Sequence, residues 1–582
     1  MKQKMKMSKS DILKRIMDFF RVMILAVFIL VIGFTSMAQE NTQDHNEQVT
    51  IVGSYDPSIN EAYKINIKPN ANEIEIQNQE FSFDFLKIKQ ETNISLNPIK
   101  PVSLRTGTKT KKFDNYLKLG FGSRLSPYLD FYHSSGDKGK YSLNTNIFHY
   151  SSFNDIPDYS PSSFSKTHAM LDYSKFIDDH IVDIGFKYGL NTNHYYGFKP
   201  DDYPALDIPE DELKQMFNLI DFKVGLASAY RKDSKLHHKL GIGAYYYFDR
   251  FKTSELFAEL DFDLYKSFDL VDMLDYQNIG IDGSIQFYSN TDSVNSSTEY
   301  YVNVKPYFTA KYGVFSFNAG LNFGFLGDSA TSFHFWPVLE LNMNIMPGAL
   351  SVYAGIDGKL EKQSYLSLTT ENPFLSSVST LGWLNEKMNV YGGLRASFSQ
   401  IVGLDIKLGW KSFENMAFFV NVPEIGAPSI FPVGPLNKFK TIYDNGSVFY
   451  LDAELSVVVG KDLKLWLGAA YNNYSLDSLE HAYHKPQLLA RLGGSYLIAK
   501  KVNLSAELYY NAKRYALDAS SPVPTQVELD SYIDLNVEVA YQINTNLSAF
   551  INGTNLLNKN YERFYYYPVQ GLQIMGGIMY KF

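Results

Sequence analysis

Cysteine is absent from all 582 residues. The chain therefore holds no disulfide, no thiolate metal site, no cysteine nucleophile and no N-terminal cysteine for lipidation. Positive charge is in deficit, with 54 Lys and Arg against 62 Asp and Glu. That balance is the reverse of a nucleic-acid binder's. Long apolar runs are also scarce. One exists, near the N-terminus, which excludes a bundle of membrane helices that each need about 20 apolar residues. Aromatics are abundant instead. The 42 Phe and 43 Tyr offer more burial than a disordered chain carries.

The single apolar run reads as an export signal. Lys2, Lys4, Lys6, Lys9, Lys14, Arg15 and Arg21 precede the stretch Val22–Gly33, and Ser36 and Ala38 set small residues before Gln39. A basic region, a short apolar core and small residues ahead of a cut define a signal peptide, expected here over residues 1–38. Met17 is an alternative start, and an uncleaved anchor is the alternative reading. Cleavage leaves 47 basic against 60 acidic residues, a net charge of −13. Such a chain suits the periplasm or cell surface and does not bind anionic lipid by charge alone.

Beyond the signal the hydropathy has period two. Ile279, Ile281, Gly283, Ile285 and Phe287 alternate with Gly280, Asp282, Ser284, Gln286 and Tyr288. Leu256 to Leu264, Phe449 to Val457 and Val502 to Tyr510 repeat the pattern. Successive side chains of a strand point to opposite faces, so each segment has one apolar and one polar face. A soluble sandwich buries such an apolar face between sheets, whereas a membrane barrel turns it to lipid around a wet lumen. Sandwich strands average about 5–6 residues, and a tilted membrane strand needs about 9–11. These segments are long, and many end on Tyr or Phe, as an interfacial girdle does. The expectation is an all-β, transmembrane antiparallel barrel.

Connections supply the strand count. Short ones fall near Asn544–Asn546, Lys500-Lys501, Gly460–Asp462, Ser399-Gln400, Met346–Gly348, Tyr312-Gly313, Arg231–Lys235, Asp178-Asp179 and Gly136–Gly139. Longer ones span Asn555–Gln570, Arg514–Gln526, Asn473–His484, Asn421–Asn445, Glu361–Glu386, Asn290–Ser297, Asn193–Leu213 and Ser152–Phe164. Alternation of short periplasmic turns with longer outer loops is the outer-membrane barrel pattern. With less clear turns near Ser123, Asp249, Asp269 and Gly327, it predicts about 22 strands over residues 113–582, with both termini on the short-turn side. Three places disturb the rhythm: Pro306, which lacks a ladder donor; Phe413-Glu414-Asn415; and Pro209–Leu213, which reads as the start of a short helix before Lys214.

The last segment, Gly571 to Phe582, places Leu572, Ile574, Ile578, Tyr580 and Phe582 on one face. Barrel closure requires it to pair with the strand near Phe113 to Gly122, so that no edge faces lipid. Its ending in Ile578, Tyr580 and Phe582 resembles the signal that barrel-assembly machinery reads. Upstream, Asn555-Leu-Leu, Tyr561, Tyr567-Pro568 and Gly571 precede it. Together these residues resemble the C-terminus of TonB-dependent receptors. That resemblance covers roughly the last 40 residues, and the strand count extends it over the barrel. It implies an outer-membrane receptor or transporter that takes up a scarce ligand across the Gram-negative outer membrane, energised from the inner membrane.

One departure from the family stands out. Residues 39–112 are fewer than its folded plug requires, so a short periplasmic or lumenal segment is expected in place of a full plug. Within it, Val49, Thr50, Ile51, Val52 and Gly53 resemble the segment that engages an energy-coupling protein. The implied partners are outer-membrane lipid, the barrel-assembly machinery and a periplasmic energy-coupling or envelope protein.

Chemistry-bearing motifs are sparse. His481 and His484 lie three apart, without the carboxylates that would complete a metal site. Of His237 and His238, one faces the lumen and one the lipid. Asp201-Asp202 and Glu210-Asp211-Glu212 match no calcium loop and read as solvated charge. No Gly-x-Ser-x-Gly or phosphate-cradling glycine loop occurs. No catalytic residue, metal or cofactor is therefore assigned, and the chain reads as a non-enzyme. The expected lumen acids are Asp261, Asp263, Asp282, Asp357, Asp452, Glu454, Glu507, Asp534 and Glu538, which either bias a pore toward cations or sugars or are hydrogen-bonded across strands to lumen Lys and Arg such as Lys305, Lys359 and Lys464. Besides uptake, a passive wide pore and a structural subunit of an envelope complex remain open.

Overall fold

The computed structural model describes residues 113–582, apart from 137–139, 203–208, 231–234, 329, 399–400, 422–437, 461 and 519–522. The export signal and the Val49–Gly53 segment lie outside the described residues. Twenty-two strands form one closed antiparallel barrel, from β1 (Asn115–Gly122) to β26 (Gln573–Lys581). Four further strands stand outside the wall. β20 (Arg514–Asp518) and β21 (Thr525–Leu529) make a hairpin within one long connection, and β24 (Glu562–Phe564) pairs with β25 (Tyr567–Pro568) in another. Among the described residues no helix is long and apolar enough to cross a membrane.

Closure is made by β1 and β26, in register from Tyr116 opposite Lys581 to Gly122 opposite Met575. Asn115 extends this seam by exchanging backbone hydrogen bonds with Phe582, at 3.0 and 3.1 Å. At this seam no backbone edge is left toward hydrocarbon, as a membrane wall requires. A buried ion pair braces the seam from inside, with Lys118 Nζ 2.7 Å from Glu538 Oε2 and 4.3 Å above the Phe550 ring.

Alternation decides which face looks out. Ile242 and Ile279 are 62% and 59% exposed, and Leu256, Leu260, Ile281, Ile285, Phe287 and Phe449 share their outward face. On the other face Tyr288, Ser505 and Glu507 are buried. Tyr580, Phe582, Tyr541 and Phe398 are exposed at one rim, and Tyr246, Phe325, Phe333 and Trp410 toward the other. Such belts suit the membrane–water boundary.

The irregular places resolve locally. In β10 (Ser296–Tyr312), Pro306 sits opposite Ile281 of β9 (Tyr276–Thr291). On its other side the ladder to β11 (Phe315–Gly327) skips from Val304 to Tyr307, so the missing donor falls in a gap. The suspected break at Phe413 to Asn415 is a bulge within β15 (Val402–Asn421). There the register shifts and Asn415 adopts φ 61°, a left-handed conformation Asn tolerates. A one-turn helix, Glu210–Leu213, runs directly into β6 (Lys214–Ser228), so both readings of that stretch hold.

A candidate recognition site at the long-loop mouth

The long connections all leave one end of the barrel, and three of them meet. These follow β5 (His180–His194), β13 (Leu350–Gln363) and β23 (Leu547–Thr554), and lie eight, eight and six places apart around the ring of 22. With strands about 4.8 Å apart and tilted, such a ring is roughly 40 Å across. Connections so spaced reach each other only by lying across the opening.

Their meeting point is an aromatic cluster. Tyr195, Tyr365, Leu368, Phe374, Leu375, Phe564 and Tyr567 are buried together with Phe217, Tyr247, Phe419 and Phe439 from the strand ends. Phe374 stacks on Tyr567 at 3.8 Å, and Tyr196 meets both rings edge-on at 5.5 and 5.0 Å. Tyr195 Oη donates to the Leu375 carbonyl (3.0 Å) and Tyr196 Oη to the Pro568 carbonyl (2.9 Å). Gly197 makes this approach possible, because a Cβ there would fall 2.5 Å from Tyr567 Cε2.

Two buried carboxylates pin the β13 connection. Its helix, Tyr365–Glu371, is capped by Ser364, whose hydroxyl accepts from the Ser367 N–H. The first free N–H groups of that helix point at Glu255, with Tyr365 N 2.7 Å from Oε2 and Leu366 N 3.3 Å from Oε1. A carboxylate at a helix N-terminus satisfies orphan donors and complements the helix dipole. Asp249 holds the far side. Its Oδ2 accepts from Tyr365 Oη (2.8 Å), Gln215 Nε2 (2.9 Å) and the Ser377 hydroxyl. Phe374 and Phe439 are tied through backbone bonds, Phe439 N to Phe374 O and Ser376 N to Phe439 O.

A second layer of basic side chains surrounds the cluster. Arg514, 2% exposed, donates to the carbonyls of Arg563 (3.0 Å) and Glu562 (2.8 Å), joining the β20–β21 hairpin to the last connection. His484 is buried between Phe439 and Phe564, and neither ring nitrogen has a hydrogen-bond partner. Burial, with Arg514 and Lys485 nearby, pushes its pKa down to about 3, so it is neutral. Between four of the connections lies a solvent-open cleft, lined by Ser162, Arg563 and His194 and by the rings of Phe164, Tyr196, Phe374 and Tyr567.

The residues singled out from the sequence distribute differently. Ile578, Tyr580 and Phe582 lie on the outward face of the closing strand, 45%, 41% and 47% exposed. His481 stacks on Tyr515 at 3.7 Å while His484 is walled in by phenylalanines, so they form no metal pair. His237 is buried against Tyr265, and His238 lies beside His180. Asp211 reaches Arg250 and Glu210 reaches His194, each at 3.5 Å. Among the described residues no group of three His, Cys, Asp or Glu side chains is placed to hold a metal.

Pairing of the lumen acids with lysine is partial. Asp282 pairs across strands with Lys305 (3.2 Å), and Glu538 pairs across strands with Lys118 (2.7 Å). Asp263, Asp357, Glu507 and Asp534 instead accept from Tyr307, Asn389, Trp466 and Tyr561. Lys359 pairs with Glu361 of its own strand, and Lys464 has no ion pair among the described residues.

Sequence reading missed the residues that assemble the mouth: Gln215, Asp249, Glu255, Arg514 and Arg563. A signal existed in the loops, which carry Tyr195-Tyr196, Phe374 and Tyr565-Tyr566-Tyr567 where solvated loops are polar.

No family model matches the chain, and no curated protein does. Solved structures match it in fold. The chain is similar to the ferripyoverdine receptor of the outer membrane of Pseudomonas aeruginosa, with a TM-score of 0.58 and 13% identity over 82% of this chain and 72% of that one. The siderophore receptor PirA from Acinetobacter baumannii gives 0.60 and 11% identity, over 82% and 81%. The ferric-catecholate import receptor Fiu from E. coli K12 gives 0.59 and 8%, over 81% and 82%. The fold is thus the 22-strand barrel of TonB-dependent siderophore receptors. The structures compared are of receptors and an iron transporter.

Proposed function

We propose that this chain is a gated uptake barrel of the outer membrane, taking in an unidentified ligand through a mouth its own loops close. The observation that carries this reading is the convergence of three widely spaced connections on the Tyr195–Phe374–Tyr567 cluster. A passive pore is served by a polar, solvated entrance. A buried aromatic closure blocks passage until the loops move, which suits a receptor. The outward apolar band and the likeness to outer-membrane receptors support the location. In this reading the long loops lie outside the cell and both termini lie in the periplasm. Ile578, Tyr580 and Phe582 are read by the assembly machinery, and Val49–Gly53 recruits an energy-coupling protein.

Planar-bilayer recording of the purified full chain tests the gate. The expected result is conductance near baseline, rising when the closure is broken by Phe374→Ala with Tyr567→Ala. Large steady steps from the unaltered chain would establish a passive pore instead. Capture of a periplasmic energy-coupling protein, lost on Val52→Pro, is the expected sign of energised uptake. Stable co-purification with other envelope proteins and no such capture would establish the structural-subunit reading.

A further inference from the structure

At the short-turn end, one connection is built unlike its neighbours. Between β8 (Ser254–Ser267) and β9 run eight residues, Phe268 to Asp275, in the order Phe-Asp-Leu-Val-Asp-Met-Leu-Asp. Hydrogen bonds hold them in one shape. The Gln277 side chain accepts the Val271 N–H (3.3 Å) and donates to the Val271 carbonyl (2.8 Å). Leu274 N reaches the Val271 carbonyl (3.0 Å), Asp275 N the Lys311 carbonyl (2.8 Å), and Asp275 Oδ2 accepts from Gly313 N (2.6 Å).

The direction in which this turn folds decides what it meets. Gln277 and Ala310 face each other across β9 and β10, on the same side of the wall as Ile279 and Phe308. Elsewhere that side is turned to lipid, and Ile279 is 59% exposed. Gln277 and Ala310 are 3% and 0% exposed. The turn therefore folds back over the outside of the wall and covers them. Phe268 leans toward Phe308 at 6.2 Å, and Phe308 meets Phe317 at 5.6 Å. Yet Leu270, Val271 and Met273 themselves remain 79%, 41% and 41% exposed, beside the apolar band that Ile279 and Phe315 belong to.

We propose that this turn is a membrane hook, inserting Leu270, Val271 and Met273 among the acyl chains of the leaflet next to the short-turn rim. Continuity with the lipid-facing wall selects glycerophospholipid as the occupant. A rigid turn enters that boundary without first ordering itself, so its exposed apolar area acts undiminished. Asp269 and Asp272, both exposed, stay on the head-group side and make anionic lipid an unfavourable neighbour. The contact is therefore apolar in origin and, with zwitterionic lipid, insensitive to salt. This inference is independent of the uptake reading.

The absence of cysteine makes the test clean, because Leu270→Cys introduces the chain's only thiol. The full-length variant, labelled with a nitrobenzoxadiazole fluorophore, is placed in zwitterionic phosphatidylcholine nanodiscs. Asp179→Cys, in the two-residue turn at the same end, is the reference. Quenching by lipid-borne doxyl groups is expected to be at least threefold stronger at position 270 than at 179, and quenching by aqueous iodide correspondingly weaker. Equal quenching from water at both positions overturns the proposal. So does shielding that appears in native envelope vesicles but not in pure lipid discs, since that identifies a protein partner. Met273→Cys supplies a second reporter should Leu270→Cys fail to show the heat-modifiable mobility of a folded barrel.

Discussion

Phe374 and Tyr567 lie face to face, 3.8 Å between centroids and 19° between planes, although their connections leave the wall eight places apart around the ring. Neither has a neighbour in sequence that explains the contact. It exists because both connections turn inward, and it gives the loop closure a measurable centre.

The first prediction concerns that pair. Stacked aromatic pairs contribute about 0.5–1.5 kcal/mol beyond their buried area. A double-mutant cycle on Phe374→Ala and Tyr567→Ala, read by hydrogen exchange in residues 364–381, is expected to show a coupling of about 1 kcal/mol. Exchange within the wall strands stays unchanged. Independent, additive effects would mean the stacking contributes nothing.

Gly197 offers a complementary route. A side chain there meets the Tyr567 ring at 2.5 Å. Gly197→Val is expected to displace Tyr567 and cost about 1–3 kcal/mol of loop docking, as overpacking does. Limited proteolysis within 561–572 should accelerate by an order of magnitude while the heat-modifiable gel mobility persists.

Asp249 is the polar counterpart. Its Oδ2 collects three donors from two segments, β6 and the connection after β13. Asp249→Ala leaves Gln215, Tyr365 and Ser377 buried without it, at a cost of about 1–3 kcal/mol for each group left unsatisfied. The variant is expected to record higher baseline conductance than the unaltered chain. Identical traces would remove Asp249 from the closure.

Acid should open the mouth through His484. Burial depresses its pKa to about 3, below the usual 6.5. The undocked loops take up a proton on this ring from about pH 6.5 downward, whereas the docked loops do not until about pH 3. Docking is therefore complete above pH 6.5 and weakens up to about tenfold per pH unit below it. Hydrogen exchange around 481–485 at pH 7, 6 and 5 measures this, and His484→Phe should flatten the profile.

The seam carries the last prediction. Lys118 and Glu538 are 11% and 2% exposed in their side chains. Removing one partner of such a pair strands a buried charge and costs about 3–5 kcal/mol. Glu538→Ala should lower the melting temperature of the folded barrel markedly, and adding Lys118→Met should restore much of it.

The wall was legible in the sequence because membrane strands obey a local rule. Ile279 to Tyr288 shows its two faces by alternation alone, and Asp178-Asp179 or Lys500-Lys501 mark turns by composition. Even Pro306 signalled its irregularity, though not that a ladder gap would absorb it. The mouth was not legible. Tyr195, Phe374 and Tyr567 are separated by well over a hundred residues, and no local periodicity announces that their connections turn inward. Asp249 reads only as a turn position, and Glu255 carries no signal of its own in the sequence. Their roles depend on a helix arriving from a distant part of the ring.

The final nine-residue strand has a consequence for biosynthesis. A polypeptide released before those residues are translated has a curled sheet with two raw margins, and every other element of its wall already present. Such a product would look almost finished to anything that inspects secondary structure. What it lacks is the partner of β1, whose backbone from Tyr116 to Gly122 would then offer its ladder to any passing strand.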